Sequence, residues 1–278
     1  MSGQPPGRRA GRLPAAILMS GTGSNARRLL ELPDPSFEVR LILTDNPTSN
    51  AAAIAREHAV ECAVVDIRAF CEPDGLSDRM RRAAYDREVG RHLARRGARL
   101  AALAGWDWVV GPELCRAFLF VNVHPGDLRV TDERGRRKYV GLGWVPAAKA
   151  ILAGERFVHS TTHLVTPELD GGPIARVSRP VPVRLPPGLT AANMLPEGVG
   201  LGDVIRDIRY NEGRRFGEAL LYTHARQAQE MLKEQGDWVE FPATVQRLAE
   251  LMLEGRLSLD AQGRILLDDS PPGDLFLM

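Results

Sequence analysis

Short apolar runs alternate with helical patterns along the first half of the chain. Residues 13–20 and 37–43 have the length and composition of buried parallel strands, and each leads into a turn and then a helical segment. Residues 118–123 (FLFVNV) form a further strand-like run that ends at His124. This alternation predicts an α/β protein with a Rossmann-like, doubly wound and mostly parallel sheet.

The second half of the chain has a less regular pattern. Residues 129–140 are charged, and residues 185–215 are rich in Pro, Gly and Asn, so we expect inserted loops there. Residues 214–235 and 242–253 have the periodicity of amphipathic helices, which predicts helices near the C-terminus.

These patterns predict one main domain with a short segment at each end. We expect that domain over residues 13–265. Residues 1–12 are polar, basic and rich in Gly and Pro, which is typical of a disordered leader. Residues 266–278 are acidic and then Pro-rich, and we expect a loosely attached tail.

Composition excludes several classes of protein. Lys plus Arg number 36 and Asp plus Glu 35, so no general affinity for nucleic acid or a membrane surface is expected. No apolar stretch reaches the ~18 residues that span a bilayer. The three cysteines show no metal-ligand spacing, which favours reduced thiols, no metal site and a cytoplasmic location. A homodimer is compatible with the sequence, which does not determine the oligomeric state.

A glycine-rich turn follows the first predicted strand. It reads Gly21-Thr22-Gly23-Ser24-Asn25 and precedes a helix, an arrangement that can bind a phosphate group. The turn lacks the third glycine of a dinucleotide fingerprint and the Gly-Lys-Ser/Thr of a P-loop. A plain tight turn is therefore an equal alternative.

Two further segments carry residues suited to proton transfer. Asn122 and His124 lie on the same side of a predicted strand, at its carboxyl end, where an amide donor and an imidazole could stabilise an oxyanion and move a proton. Asp170 precedes Gly171-Gly172 and could support an imidazolium. The alternatives are a structural histidine and an ordinary acidic turn, in which Glu168 faces solvent.

Taken together, the motifs resemble those of the folate-dependent formyltransferases, most closely the phosphoribosylglycinamide formyltransferases of purine biosynthesis. The stretches that carry this resemblance are ILMSGTGSN (17–25), LAGW (103–106), VNVHPGDL (121–128) and THLVTPELDGGPI (162–174), with weaker support from AYDRE (84–88) and EGRL (254–257).

The resemblance implies the formyltransferase fold, 10-formyltetrahydrofolate as co-substrate and an amine acceptor, without a metal. It implies that Asn122 binds the formyl oxygen, that His124 acts as general acid, and that Asp170 fixes the histidine and helps to move the proton. Gly23, Ser24 and Asn25 match the loop that holds the ribose phosphate. Residues that match the folate site are Arg82, Trp106, Asp107, Trp108, Val109 and Val110. Both tryptophans could equally be core aromatics.

The sequence departs from the family where the acceptor would be recognised. Residues 126–129 (GDLR) replace Ser-Leu-Leu-Pro, and the insertion TDERGRRK follows. Residues 141–148 lack the usual histidine, residues 258–261 lack a glutamate, and the stretch 185–215 is long. The acceptor is therefore left open between glycinamide ribonucleotide, an amino sugar or a hydroxyornithine. A formyltetrahydrofolate hydrolase and a degenerate nucleotide-binding module are the remaining alternatives.

Overall fold

The centre of the fold is a twisted sheet whose strands come mainly from the first half of the chain. The computed structural model describes residues 11–70 and 78–277. Within them the sheet has seven strands in the order β3-β2-β1-β4-β5-β7-β8. Its strands are β1 (Leu13–Leu18), β2 (Phe37–Thr44), β3 (Glu61–Val64), β4 (Leu100–Leu103), β5 (Leu119–His124), β7 (Thr161–Leu164) and β8 (Ile174–Val177).

The first five of these strands are parallel, and β7 and β8 are antiparallel to their neighbours. Helices cover both faces, as short βα connections require. They are α1 (Ser24–Leu30), α2 (Ala51–Glu57), α3 (Asp78–Arg95), α4 (Pro112–Ala117), α5 (Val145–Leu152), α6 (Leu201–Tyr210), α7 (Leu220–Leu232) and α8 (Trp238–Leu253). The predicted mostly parallel, doubly wound α/β fold is confirmed.

Alternation along the strands fills a separate core on each face of the sheet. In β1, Ile17 packs in a cluster with α1, α2 and α8, whereas Leu18 packs in a second cluster with α3 and α4. A third cluster lies away from the sheet and joins α5, α6 and α7. Two-stranded pairs complete the fold: β6 (Phe157–Val158) with β9 (Val181–Pro182), and β10 (Leu257–Leu259) with β11 (Ile265–Leu267).

The stretch expected to be an inserted loop over 185–215 contains helix α6 and a 3-10 turn at Ala191–Asn193. Leu201, Val204, Ile205 and Ile208 belong to the third cluster at helical spacing, so burial of this face stabilises the helix. The helix predicted over 214–235 begins later, at Leu220. Residues 129–140 do form a loop, closed by a bridge between Thr131 and Arg137.

The C-terminal segment differs from the expected loose tail. The backbone N–H groups of Leu275 and Leu277 donate to the carbonyls of Ile174 and Ala175, at 2.6 and 3.1 Å. Leu277 is buried in the core. The tail therefore satisfies the open edge of β8, a contact that needs only a few residues and leaves little pattern in the sequence.

Two other sequence expectations concern the N-terminal leader and the cysteines. The predicted leader lies outside them except for residues 11 and 12. Cys62 and Cys115 are free thiols, and Cys71 lies outside the described residues.

Candidate active site

A cleft of about 550 Å³ opens at the carboxyl ends of β1, β4 and β5. Ligands of open parallel sheets bind at this edge, because the loops after the strands meet there. The glycine-rich turn after β1 lines one part of the cleft, residues 106–110 after β4 line another, and Asn122 and His124 of β5 lie between them with Asp170.

Asn122 is oriented by a histidine from the neighbouring strand. The Nδ1–H of His163 donates to the carbonyl of Leu164 at 2.9 Å, which leaves its Nε2 as an acceptor. That nitrogen accepts from Nδ2 of Asn122 at 3.2 Å. Burial lowers the pKa of His163 to about 4, so the ring is neutral near pH 7. The amide of Asn122 therefore points its nitrogen in a fixed direction.

His124 is tied to the backbone on one side and faces a carboxylate on the other. Its Nε2–H donates to the carbonyl of Tyr139 at 2.7 Å, and its Nδ1 lies 3.5 Å from Oδ1 of Asp170. Burial lowers the pKa of His124, while Asp170 and the Tyr139 carbonyl act in the opposite direction. Because Nε2 is occupied, Nδ1 is the nitrogen that can exchange a proton with the cleft.

The loop that carries Asp170 is tight. Asp170 has a φ of 51°, in the left-handed region that aspartate tolerates better than most residues. A Cβ at Gly172 would overlap the carbonyl of Leu164, so this position accepts only glycine. The two local constraints turn the buried carboxylate of Asp170 towards the histidines: its Oδ1 is also 3.8 Å from Nε2 of His163.

The glycine-rich turn is packed as tightly as its sequence suggests. Gly23 has a φ of 76°, and a Cβ there would collide with Ile54. Asn25 is buried, and its Nδ2 donates to Oδ2 of Asp237 at 3.4 Å. Among the described residues, Oδ1 of each of these two residues is buried without a hydrogen-bond partner.

Residues 106–110 divide between core and cleft. Trp106 is buried and stacks on Tyr85, as expected for a core aromatic, although it also lines the cleft. Trp108 is 40% exposed and its Nε1–H donates to Asp45 at 2.7 Å. The backbone N–H of Asp107 donates to Ser20 at 3.0 Å, and burial raises the pKa of its carboxyl group. The exposed Val109 and the buried Val110 complete this wall.

Arg82 does not lie among the residues that line the cleft. Its Nε donates to Oδ1 of Asp86 at 3.2 Å, and its guanidinium lies over the ring of Tyr85. The two charged residues are four apart on α3, a spacing that favours an ion pair on one face of a helix. In the structure Arg82 therefore pairs with the buried Asp86 within α3, unlike the other residues of the expected folate site.

Several cleft residues carried no role in the sequence analysis. They are His163, Glu168, Arg209, Gln229, Lys233 and Asp237. Glu168 is exposed as expected, yet it lines the cleft. Lys233 and Asp237 begin and end a π-helical turn between α7 and α8, a conformation that often occurs at functional sites. Burial raises the pKa of Asp237. His163 and Glu168 lie within the stretch 162–174 that carries the family resemblance, and the sequence signal near Lys233 and Asp237 is Gly236, which interrupts the helical pattern.

The described residues contain no group of three or more His, Cys, Asp or Glu side chains that could hold a metal ion. Among the same residues, no helix is both long enough and apolar enough to cross a membrane.

Comparison with solved structures identifies the class of this fold. Glycinamide ribonucleotide transformylase 1 of Symbiobacterium toebii aligns with a TM-score of 0.59 and 21% identity, over 96% of this chain and 99% of that one. Phosphoribosylglycinamide formyltransferase of Coxiella burnetii aligns with a TM-score of 0.58 and 18% identity, over 95% and 98%. The chain has the Rossmann-like formyltransferase fold.

Sequence relatives indicate the same class. No family model matches the chain. Phosphoribosylglycinamide formyltransferase of Escherichia coli K12 is 26% identical over 163 residues, or 57% of this chain and 68% of that protein. Trifunctional purine biosynthetic protein adenosine-3 of Drosophila melanogaster is 29% identical over 175 residues, or 60% of this chain and 12% of that protein. The predicted resemblance to folate-dependent formyltransferases is confirmed.

Proposed function

We propose that the protein transfers a formyl group from 10-formyltetrahydrofolate to a primary amine, and that the amine is glycinamide ribonucleotide. The observation that carries this proposal is the meeting of Asn122 with the His124–Asp170 pair in one cleft. Amide and imidazole come from the end of β5, and the carboxylate comes from a loop more than forty residues later in the chain. Their meeting between a glycine-rich turn and a partly apolar wall fits a reaction between two substrates.

The donor side of the cleft suits a folate. A volume of about 550 Å³ lies within the range of cavities that hold ligands of this size. The partly exposed side chains of Trp108 and Val109 offer an apolar surface to an aromatic ring system. When bound, 10-formyltetrahydrofolate supplies a formyl group on a nitrogen that can leave.

The acceptor side offers positive charge. Arg209 and Lys233 line the cleft, and either cation could attract a phosphate group. Asn25 and Asp237 line the cleft as well, joined by a hydrogen bond between their side chains. These features support a phosphorylated amine as the acceptor and give Gly23, Ser24 and Asn25 a role in binding it.

Asn122 is suited to stabilise the formyl oxygen. Nδ2 uses one hydrogen on His163 and keeps the second for the oxygen as it gains negative charge during attack by the amine. Since His163 already fixes the amide, little reorganisation is needed during the reaction.

His124 and Asp170 are suited to move the proton. The attacking amine must lose a proton as its bond to the formyl carbon forms, and the leaving folate nitrogen must gain one as its bond breaks. Nδ1 of His124 faces Asp170 and has no other partner in the part of the chain that the structure describes, so this pair can accept the first proton and supply the second. Donation of Nε2–H to Tyr139 directs the exchange to Nδ1.

The test is a mass measurement on a panel of amines. The protein is incubated with 10-formyltetrahydrofolate and glycinamide ribonucleotide, an amino sugar or hydroxyornithine. A mass gain of one formyl group on glycinamide ribonucleotide alone supports the proposal. Gain on another amine alone would identify an N-formyltransferase with a different acceptor, and formate release without an amine would identify a hydrolase. Asp170→Asn is the control, because it should abolish turnover and leave folate binding nearly intact.

A further inference from the structure

The inserted loop of residues 129–140 contacts both members of the His124–Asp170 pair. Near its end the carbonyl of Tyr139 accepts from Nε2 of His124. Two residues earlier, Nη1 of Arg137 donates to the backbone carbonyls of Asp170 and Gly172, the latter at 3.0 Å. One short segment therefore holds the imidazole from one side and the carboxylate loop from the other.

Arg137 also connects this loop to the C-terminal segment. Its Nη2 lies 3.5 Å from Oδ1 of Asp274, and the same oxygen accepts from the backbone N–H of Ile174 at 2.8 Å. The Arg137 side chain is 17% exposed, so its hydrogen bonds are largely shielded from water. Arg137 thus contacts the loop of residues 168–173 directly and, through Asp274, the strand that follows it.

The contact with Arg137 can stabilise the turn that carries Asp170. Asp170 has a left-handed backbone conformation, and a strained turn persists only when its surroundings hold it. In this turn the backbone carbonyls of Asp170 and Gly172 point at Arg137. The planar guanidinium of Arg137 can bond both carbonyls without a change of rotamer. Without that group the carbonyls would lose their donor, and the carboxylate would no longer be fixed opposite His124.

We propose that Arg137 is a positioning residue that holds the Asp170 loop in its reactive geometry, with Asp274 as its support. Arg137 does not touch the reacting atoms in this arrangement; it acts through Asp170. The kinetic part of this inference rests on the proposed formyl transfer, whereas the positioning itself does not.

Four variants separate the positioning effect of the Arg137 guanidinium from the effect of its positive charge. Arg137→Ala removes the guanidinium, and Arg134→Ala is the matched control, since it removes the same charge from an exposed position in the same loop. Arg137→Lys keeps the positive charge and loses the planar guanidinium with its two Nη donors. Asp274→Ala removes the support and leaves Arg137 in place.

The first readout is amide hydrogen exchange of residues 168–174 in the intact protein, which needs no activity. Arg137→Ala should speed exchange there by at least about tenfold, with β4 unchanged, whereas Asp274→Ala should have a smaller effect in residues 168–172 and speed exchange directly at Ile174, whose N–H donates to Asp274. Arg134→Ala should behave as wild type. Equal protection of residues 168–174 in Arg137→Ala and Arg134→Ala would overturn the proposal.

The second readout is steady-state formyl transfer. Arg137→Ala should lower kcat by about tenfold to hundredfold with the KM for folate nearly unchanged, and Arg137→Lys should recover part of the loss. A loss confined to KM would overturn the positioning role. If the wild-type protein transfers no formyl group, the proposed function fails, and the exchange data alone decide the role of Arg137.

Discussion

Replacement of Gly126 by alanine tests how the backbone around His124 fixes the position of its imidazole and the hydrogen bond from Nε2 to Tyr139. Gly126 lies two residues after His124. A Cβ added there would lie 2.9 Å from Nε2 of His124 and 2.9 Å from Cβ of Pro146, and closer still to the carbonyl oxygen of Tyr139. All three neighbours are buried, so the new methyl group must displace at least one of them.

The cost can be worked out from these contacts. Overpacking of a buried site costs about 1–3 kcal/mol, and a buried N–H that loses its acceptor costs about 1–3 kcal/mol. Since the carbonyl of Tyr139 is the nearest of the three neighbours, both effects should apply. We expect Gly126→Ala to lower the free energy of unfolding by roughly 2–6 kcal/mol. A displaced imidazole should also lower kcat by about a hundredfold.

The assay is urea denaturation of both proteins, followed by formyl transfer under conditions in which each remains folded. Gly202→Ala is the control, because a Cβ at this helical position meets no atom within 4 Å. It should leave activity unchanged and raise stability by about 0.4–1 kcal/mol. If Gly126→Ala unfolds like the wild type and keeps its kcat, the carbonyl of Tyr139 does not control His124 and the reasoning is refuted.

Three further predictions address other parts of the cleft. Asn122→Ala should lower kcat by about 10²–10³ in steady-state assays with little change in the KM for folate, because one oxyanion donor is lost. Asp237→Asn should raise the KM for the amine and leave that for folate unchanged; an equal rise in both would contradict a role on the acceptor side. The third concerns His163, whose pKa is lowered to about 4 from 6.5. As the pH falls, His163 binds a proton in the unfolded chain but stays neutral in the folded one. The free energy of unfolding should therefore fall by on the order of 3 kcal/mol as the pH is lowered from about 6.5 to 4. Urea denaturation over this range should show a smaller fall in His163→Gln.

The sheet and part of the site could be predicted because their signals are local. Apolar runs of strand length, each followed by a turn, indicate parallel strands whose carboxyl ends share one edge. Asn122 and His124 stand two apart at the end of such a run, so the strand period alone places them on one side. The tight turns at Gly23 and Gly172 were also visible, since glycine is what close backbone approach requires.

Other parts depend on contacts between distant segments. Helix α6 was hidden because Gly200 and Gly202 interrupt its apolar spacing, and burial against α5 and α7 stabilises it instead. The tail pairs with β8 through backbone groups, which leave no side-chain pattern. Arg82 shows how a local contact can compete with a motif: the resemblance places it at the folate site, whereas in the structure it forms an ion pair with Asp86, four residues later on the same helix.

Backbone carbonyls hold the two histidines of the cleft in different tautomers. Leu164 accepts from Nδ1 of His163, and Tyr139 accepts from Nε2 of His124, so each ring turns its other nitrogen towards Asp170. Nε2 of His163 is already occupied by the amide of Asn122, which leaves Nδ1 of His124 as the nitrogen that can take up a proton beside Asp170. In the proposed formyl transfer these contacts favour proton transfer at Nδ1 of His124, because transfer through His163 would require it to release Asn122 and give up the orientation that oxyanion binding needs.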